Sequence, residues 1–149
     1  SAQAEFFQEL QTVAKDLFSP IASIHHYLGT TKNFIEACQQ DKVKLKNYFY
    51  ALRTALAGKW IIDSKSIPPV AFSELVKIAP TNIQLKIDEL LVIKANQDES
   101  YSHPNENLIT DYILELIQYN STHAAHLTSG KKMAIEIDNL FIKTILQSI

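Results

Sequence analysis

From Val43 to Asp63 the chain keeps helical spacing while spreading apolar residues over more than one face. Leu45, Phe49, Leu52, Leu56 and Trp60 fall on one stripe, and Tyr48, Ala51, Ala55 and Ile62 on another. A helix with so little polar circumference needs neighbours on several sides. The segment therefore predicts a central helix, and the rest of the chain must cover it. Its composition suits that task. Leu, Ile, Ala, Lys, Gln and Glu dominate, and glycine occurs only as Gly29, Gly58 and Gly130. A length of 149 residues fits one domain, residues 1–149, around a single core.

Helical periodicity supplies the neighbours. A first helix is expected from about Ala4 to Phe18, with Phe6, Leu10, Val13, Ala14 and Leu17 on one face. Ser19-Pro20 reads as a restart, serine capping and proline opening a second helix to about Gln40 on Ile21, Ile24, Leu28 and Ile35. Gly29 weakens that helix by roughly 1 kcal/mol relative to alanine. After the third helix, Ser66-Ile67-Pro68-Pro69 is a stiff connection. A short helix spans Ala71 to Ile78. Thr81 or Asn82 can cap a fifth through about Ala95, on Ile83, Ile87, Leu90, Leu91 and Lys94. Asn96 to Pro104 is turn-like, and a sixth helix from Asn105 to about Tyr119 turns Leu108, Tyr112 and Leu116 inward. Ser129-Gly130 marks a stop, and a last helix from Lys132 to Gln147 buries Ile137, Leu140, Phe141, Ile145 and Leu146. The expected fold is all-α, an irregular bundle of about seven helices.

Composition also excludes. No apolar run has the uncharged length of a membrane span, and no basic region precedes an apolar stretch as in a secretion signal. Cys38 is the lone cysteine, which rules out an internal disulfide and fits a reducing cytoplasm; it reads as a small core residue rather than a nucleophile. A net charge of −2 argues against a general nucleic-acid-binding surface. The positive charge is concentrated, however. Lys42, Lys44, Lys46, Arg53, Lys59 and Lys65 lie between Asp41 and Lys65, opposed only by Asp41 and Asp63.

Within that segment Lys46, Tyr50 and Arg53 stand four and then three residues apart, on one stripe of the third helix. Ala57 and Gly58 continue the stripe with small residues that allow close approach. Arg53 is the only arginine, and a guanidinium offers a planar fork matched to phosphate oxygens. Tyr50 beside it offers a ring and a hydroxyl. The stripe is a candidate nucleotide-phosphate contact, although residue chemistry alone favours the plainer reading, in which Arg53 pairs with an acidic neighbour such as Asp63 or Glu74 and fixes packing. His26 and Tyr27 are second candidates. His25 and His26 point about 100° apart on a helix and so do not share a ligand. His123 and His126 have the spacing of a metal pair but lack further ligands, so no metal site is assigned. There is no glycine-rich phosphate loop, no His-Glu-x-x-His, no Cys-x-x-Cys, and no pair of aspartates at the spacing used to hold magnesium for nucleotidyl transfer. No catalytic residue is nominated.

The run from Lys46 through Ile61, containing Tyr48-Phe49-Tyr50, Ala51-Leu52-Arg53 and Trp60-Ile61, leads into Ile67-Pro68-Pro69-Val70-Ala71-Phe72-Ser73-Glu74-Leu75. It resembles the C-terminal half of predicted nucleotidyltransferases of the DNA polymerase beta superfamily, the group also found in RNA-repair gene clusters. His26-Tyr27-Leu28, with Lys32 beyond, resembles the helix that precedes this pattern. Thr54 stands where the family leads one to expect proline, and Gly58 where a larger residue is usual.

The resemblance implies that this chain is the helical C-terminal part of such an enzyme. The catalytic half, with its Gly-Ser turn and magnesium-binding aspartates, is then expected to precede Ser1. Its implied partners are that N-terminal catalytic domain, a nucleoside triphosphate, and RNA or another nucleic-acid acceptor, with no cofactor held in this chain and no membrane. The alternative is a free-standing helical module that docks onto a separate nucleotidyltransferase or another protein. A helical ribonuclease with an Arg-x(4–6)-His pair is disfavoured, because no histidine follows Arg53 at that spacing.

Overall fold

The computed structural model describes residues 1–16, 18–127, 143, 144 and 147. Six helices are formed among them: α1 (Ala2–Asp16), α2 (Pro20–Cys38), α3 (Leu45–Ser64), α4 (Phe72–Val76), α5 (Thr81–Ala95) and α6 (Asn107–Ala124). Among the described residues the fold is all-α apart from one two-residue ladder, β1 (Lys42–Val43) pairing antiparallel with β2 (His103–Pro104). The seventh expected helix, Lys132 to Gln147, falls outside the described residues except at 143, 144 and 147.

The central-helix expectation holds. α3 packs against α2, α6 and α4, and eleven of its residues are buried, including Leu52, Leu56 and Tyr48. α2 begins as the sequence implies, with Ser19 Oγ accepting from the Ala22 N–H at 3.4 Å and Pro20 in the first turn. α3 ends on Lys65, whose backbone enters the left-handed region at φ 52° and whose N–H returns to Ile61 O.

Several local expectations are corrected. Val43 does not open α3; its extended backbone pairs with His103, so the segment read as a turn supplies a strand. Pro80, not Thr81 or Asn82, precedes α5, and no side chain caps it. Instead the Gln84 amide donates to Ala79 O at 2.8 Å, while the Gln84 backbone N–H bonds Pro80 O. α6 runs on to Ala124. On its inner face Ile109 and Ile113 join Tyr112 and Leu116, whereas Leu108 is exposed, as is Leu91 on α5. On α1 Phe6 is 66% exposed, against its expected inward placement.

Several polar groups inside the core are paired, since an unmade buried hydrogen bond is expensive. The Thr31 hydroxyl lies 2.8 Å from both Tyr27 O and the Thr54 hydroxyl, stitching α2 to α3. Where α2 ends, Cys38 O receives the Asn105 amide at 2.7 Å and the Thr110 hydroxyl at 3.1 Å. The Tyr48 hydroxyl accepts the Glu106 N–H at 2.9 Å, fixing the start of α6 against α3.

Gly58 allows the closest helix approach. A methyl group there would lie 2.5 Å from Asn120 Nδ2 and 2.9 Å from Ile24 Cδ1. That Asn120 amide is buried and donates to Ala55 O at 3.0 Å. The small residue at position 58 thus admits α6, not a ligand. Gly29, also helical, has nothing within 4 Å of its added Cβ.

The two glycines should respond oppositely to alanine. Gly29→Ala should stabilise by roughly 0.5–1 kcal/mol, the gain in helix propensity. Gly58→Ala should destabilise by about 1–3 kcal/mol, because overpacking there displaces Asn120 from its bond. Denaturant unfolding of both variants checks the pair. A second expectation concerns Cys38, buried in the core with a thiol pushed up to about 12 by desolvation. Native protein at neutral pH should leave it unreacted toward a disulfide reagent, with stoichiometric reaction appearing only on addition of denaturant.

Candidate nucleotide-binding clefts

Three faces of α3 are covered, and one edge is not. Along that edge lie Lys46, Tyr50 and Arg53 in the order their spacing implies: Lys46 exposed, Tyr50 43% exposed, Arg53 half-buried. Ala57 and Gly58 do not extend the stripe, since both are buried.

Two clefts meet on this edge. The wider, of about 400 Å³, lies between α2 and α3. His26, Thr30 and Phe34 form its α2 wall, each four residues from the last, and Tyr50, Arg53 and Thr54 form its α3 wall. Lys143 and Gln147 also line it. The narrower, of about 200 Å³, is bounded by Lys46, Phe49, Tyr50 and Arg53 of α3, by Phe72 of α4, and by Leu91 and Lys94 of α5. Tyr50 and Arg53 belong to both. A third hollow of about 260 Å³ adjoins them at the start of α3, where Lys44, Lys46 and Lys94 share the lining with Asp98 and Glu99. There Lys44 Nζ is committed to the backbone, donating to Glu99 O at 3.0 Å and Ser100 O at 2.8 Å.

Arg53 is held by neutral partners. Its Nη1 donates to Val70 O at 2.6 Å, and the guanidinium lies 5.4 Å from the Phe72 ring centroid. Burial lowers its pKa, with the nearby Tyr27 acting in the opposite sense, and it stays charged at neutral pH. Neither carboxylate expected as its partner reaches it. Asp63 binds Lys59 Nζ at 2.6 Å and the Tyr119 hydroxyl at 2.5 Å, and Glu74 binds Lys77 Nζ at 3.0 Å. No Asp or Glu among the described residues pairs with Arg53 or lines the two clefts.

Aromatic rings complete the walls. Phe34 and Tyr50 lie 5.2 Å apart between centroids, Phe49 meets Phe72 edge-on at 5.9 Å, and Lys94 Nζ lies 5.8 Å over Phe49. The adjacent histidines diverge as helical geometry requires: His25 is exposed, while His26 lines the wider cleft. Burial lowers the His26 pKa, and its Nε2 is buried without a hydrogen-bond partner among the described residues. Tyr27 is in the core rather than on a cleft wall, and burial pushes its phenol well above the usual range. His123 stacks on Tyr119 at 4.1 Å and its Nδ1 lies 2.8 Å from Tyr119 O, while His126 is exposed. Among the described residues no group of three His, Cys, Asp or Glu could hold a metal ion.

The sequence reading missed Phe34, Thr30, Phe72, Lys94 and the late residues Lys143 and Gln147 as wall residues. A signal for the α2 set was present: positions 26, 30 and 34 share one helix face. No comparable signal joins Phe72 or Lys94 to Arg53, because only packing brings α4 and α5 there.

Among the described residues no helix is long and apolar enough to cross a membrane. No solved structure matches the chain. It is 30% identical over 142 residues to the protein YcgL of Bacillus subtilis (strain 168), an alignment covering 93% of this chain and 55% of that one. The chain thus spans little more than half the length of this curated relative. Residues 1–143 match the family model described as the RNA repair pathway DNA polymerase beta family. Together with the Tyr-Phe-Tyr and Ala-Leu-Arg run of α3, that match over nearly the whole chain establishes that this protein belongs to the RNA repair pathway DNA polymerase beta family.

Proposed function

We propose that this chain is the substrate-binding helical part of a nucleotidyltransferase, and that Lys46, Tyr50 and Arg53 contact the phosphates of a nucleoside triphosphate. The observation that carries this reading is the state of Arg53. It is a half-buried cation at the junction of two clefts, with a carbonyl and a ring as neighbours and no carboxylate among the described residues. A desolvated charge without a counter-ion is costly, and an anionic ligand relieves that cost. Lys46 and Lys94 add positive charge to the narrower cleft, and aromatic walls suit the flat part of a nucleotide.

Membership of a polymerase-beta-related family supports the same reading, with a nucleic-acid acceptor as the second substrate. The chemistry of that superfamily needs magnesium on paired aspartates. The described residues of this chain do not fit such an ion, so the transfer step is assigned to a domain outside it and this chain's share is to bind and orient the nucleotide.

The chain alone should transfer no nucleotide under magnesium or manganese; incorporation of label that a substitution within this chain abolishes would overturn the assignment. Arg53→Lys keeps the charge but loses the fork, so nucleoside triphosphate binding should weaken about tenfold, the scale of one charge-assisted hydrogen bond. Thermal unfolding should shift only slightly, because the lost bond to Val70 O is at the edge of the core. A variant that melts far lower yet binds nucleotide normally would make Arg53 a structural residue.

A further inference from the structure

The two clefts that meet at Tyr50 and Arg53 differ in the ligand chemistry they suit. The narrower has Lys46, Arg53 and Lys94 around about 200 Å³. The wider has about 400 Å³, the Phe34–Tyr50 ring pair on its walls and His26 beside them. We propose that the wider cleft is a nucleobase pocket, in which the base stacks against Phe34 and Tyr50 and is read by His26, while the phosphates occupy the narrower cleft. This rests on the nucleotide-binding reading and deepens it by dividing the ligand between the two clefts.

Three observations support the division. First, volume and charge differ between the two. The compact cleft has Lys46, Arg53 and Lys94 and fits a triphosphate. The wider, with Arg53 and Lys143, spreads its charge over twice the volume, is the more apolar, and has room for a flat heterocycle. Stacking on an aromatic side chain is a common source of base affinity. Second, both threonine hydroxyls of the α2 and α3 walls are already engaged. The Thr30 hydroxyl donates to His26 O at 3.0 Å, and the Thr54 hydroxyl is shared between Tyr50 O and Thr31. His26 Nε2, by contrast, is buried and has no hydrogen-bond partner among the described residues. Third, burial keeps that ring neutral near pH 7, so it presents one donor and one acceptor, as a base edge does. A cationic ring would instead suit a phosphate. Arg53, at the junction, is placed for the phosphate nearest the sugar.

The test titrates the 149-residue chain with ATP, GTP, CTP and UTP, and separately with inorganic triphosphate. Phe34→Ala and His26→Ala should each weaken nucleoside triphosphate binding about tenfold or more while leaving inorganic triphosphate within about twofold. Lys46→Ala and Lys94→Ala should weaken both ligands together. His26→Ala should also flatten any preference among the four bases, with His26→Asn restoring part of it. Thermal unfolding accompanies each variant; should Phe34→Ala fail to fold, Phe34→Leu keeps most of the volume and removes the ring face. If nucleotides bind but the Phe34 and His26 variants bind them normally, the base is not in the wider cleft, and only the nucleotide reading survives. Equal loss of inorganic triphosphate in those variants would place phosphate there and overturn the proposal. If the wild-type chain binds neither nucleotide nor triphosphate, the underlying reading fails and this one fails with it.

Discussion

The burial of α3 governs the rest of the molecule. Its apolar circumference is covered by α2, α6 and α4, which leaves one uncovered edge where side chains can meet solvent or ligand. Lys46, Tyr50 and Arg53 share it, on the side of the helix away from its eleven buried residues. The site is therefore a consequence of the packing, as the remainder left when a nearly all-apolar helix is surrounded.

Surrounding such a helix raises a second problem, the polar atoms that go inside with it. Specific partners on neighbouring helices meet several of them. Thr54 meets Thr31 of α2, the Asn120 amide meets Ala55 O, and Tyr48 takes the Glu106 N–H at the start of α6. These bonds are individually modest but fix register, since a shifted helix would leave buried groups unpaired. Thr54 and Gly58, the two positions that depart from the resembled pattern, are both used this way. Thr54 bridges to α2 directly behind Tyr50 and Arg53, and Gly58 gives up its side chain so that Asn120 can reach Ala55.

Charge is sorted along the same lines. Lys59, Lys77 and Lys86 each have a carboxylate within 3.0 Å, from Asp63, Glu74 and Glu89 respectively. For Asp63, burial raises the pKa but is outweighed by hydrogen bonds from Lys59 and Tyr119, so its carboxyl titrates below the usual range and stays ionised. The cations on the cleft walls have no such neighbours among the described residues. A chain of slightly negative net charge thus presents a locally positive, aromatic-lined surface at one edge, which whole-chain arithmetic conceals.

The sequence by itself determined the helical class, the centrality of α3, the serine-proline restart of α2, and the shared stripe of Lys46, Tyr50 and Arg53. All of these follow from spacing along one helix or from local backbone chemistry, which a sequence carries explicitly. It could not decide which residues stand opposite that stripe. Phe72 and Lys94 reach Arg53 and Phe49 only because α4 and α5 fold back across α3. For the same reason the small stripe at Ala57 and Gly58 was legible as a close approach but not as the approach of Asn120. The pairing of Val43 with His103 was hidden altogether, since two residues carry no periodicity and their hydrogen bonds connect segments about sixty residues apart. Tertiary structure also decided the partner of Arg53. Sequence offered two carboxylates, and packing gave both to other cations, leaving the guanidinium beside a carbonyl and a ring with no carboxylate against it among the described residues.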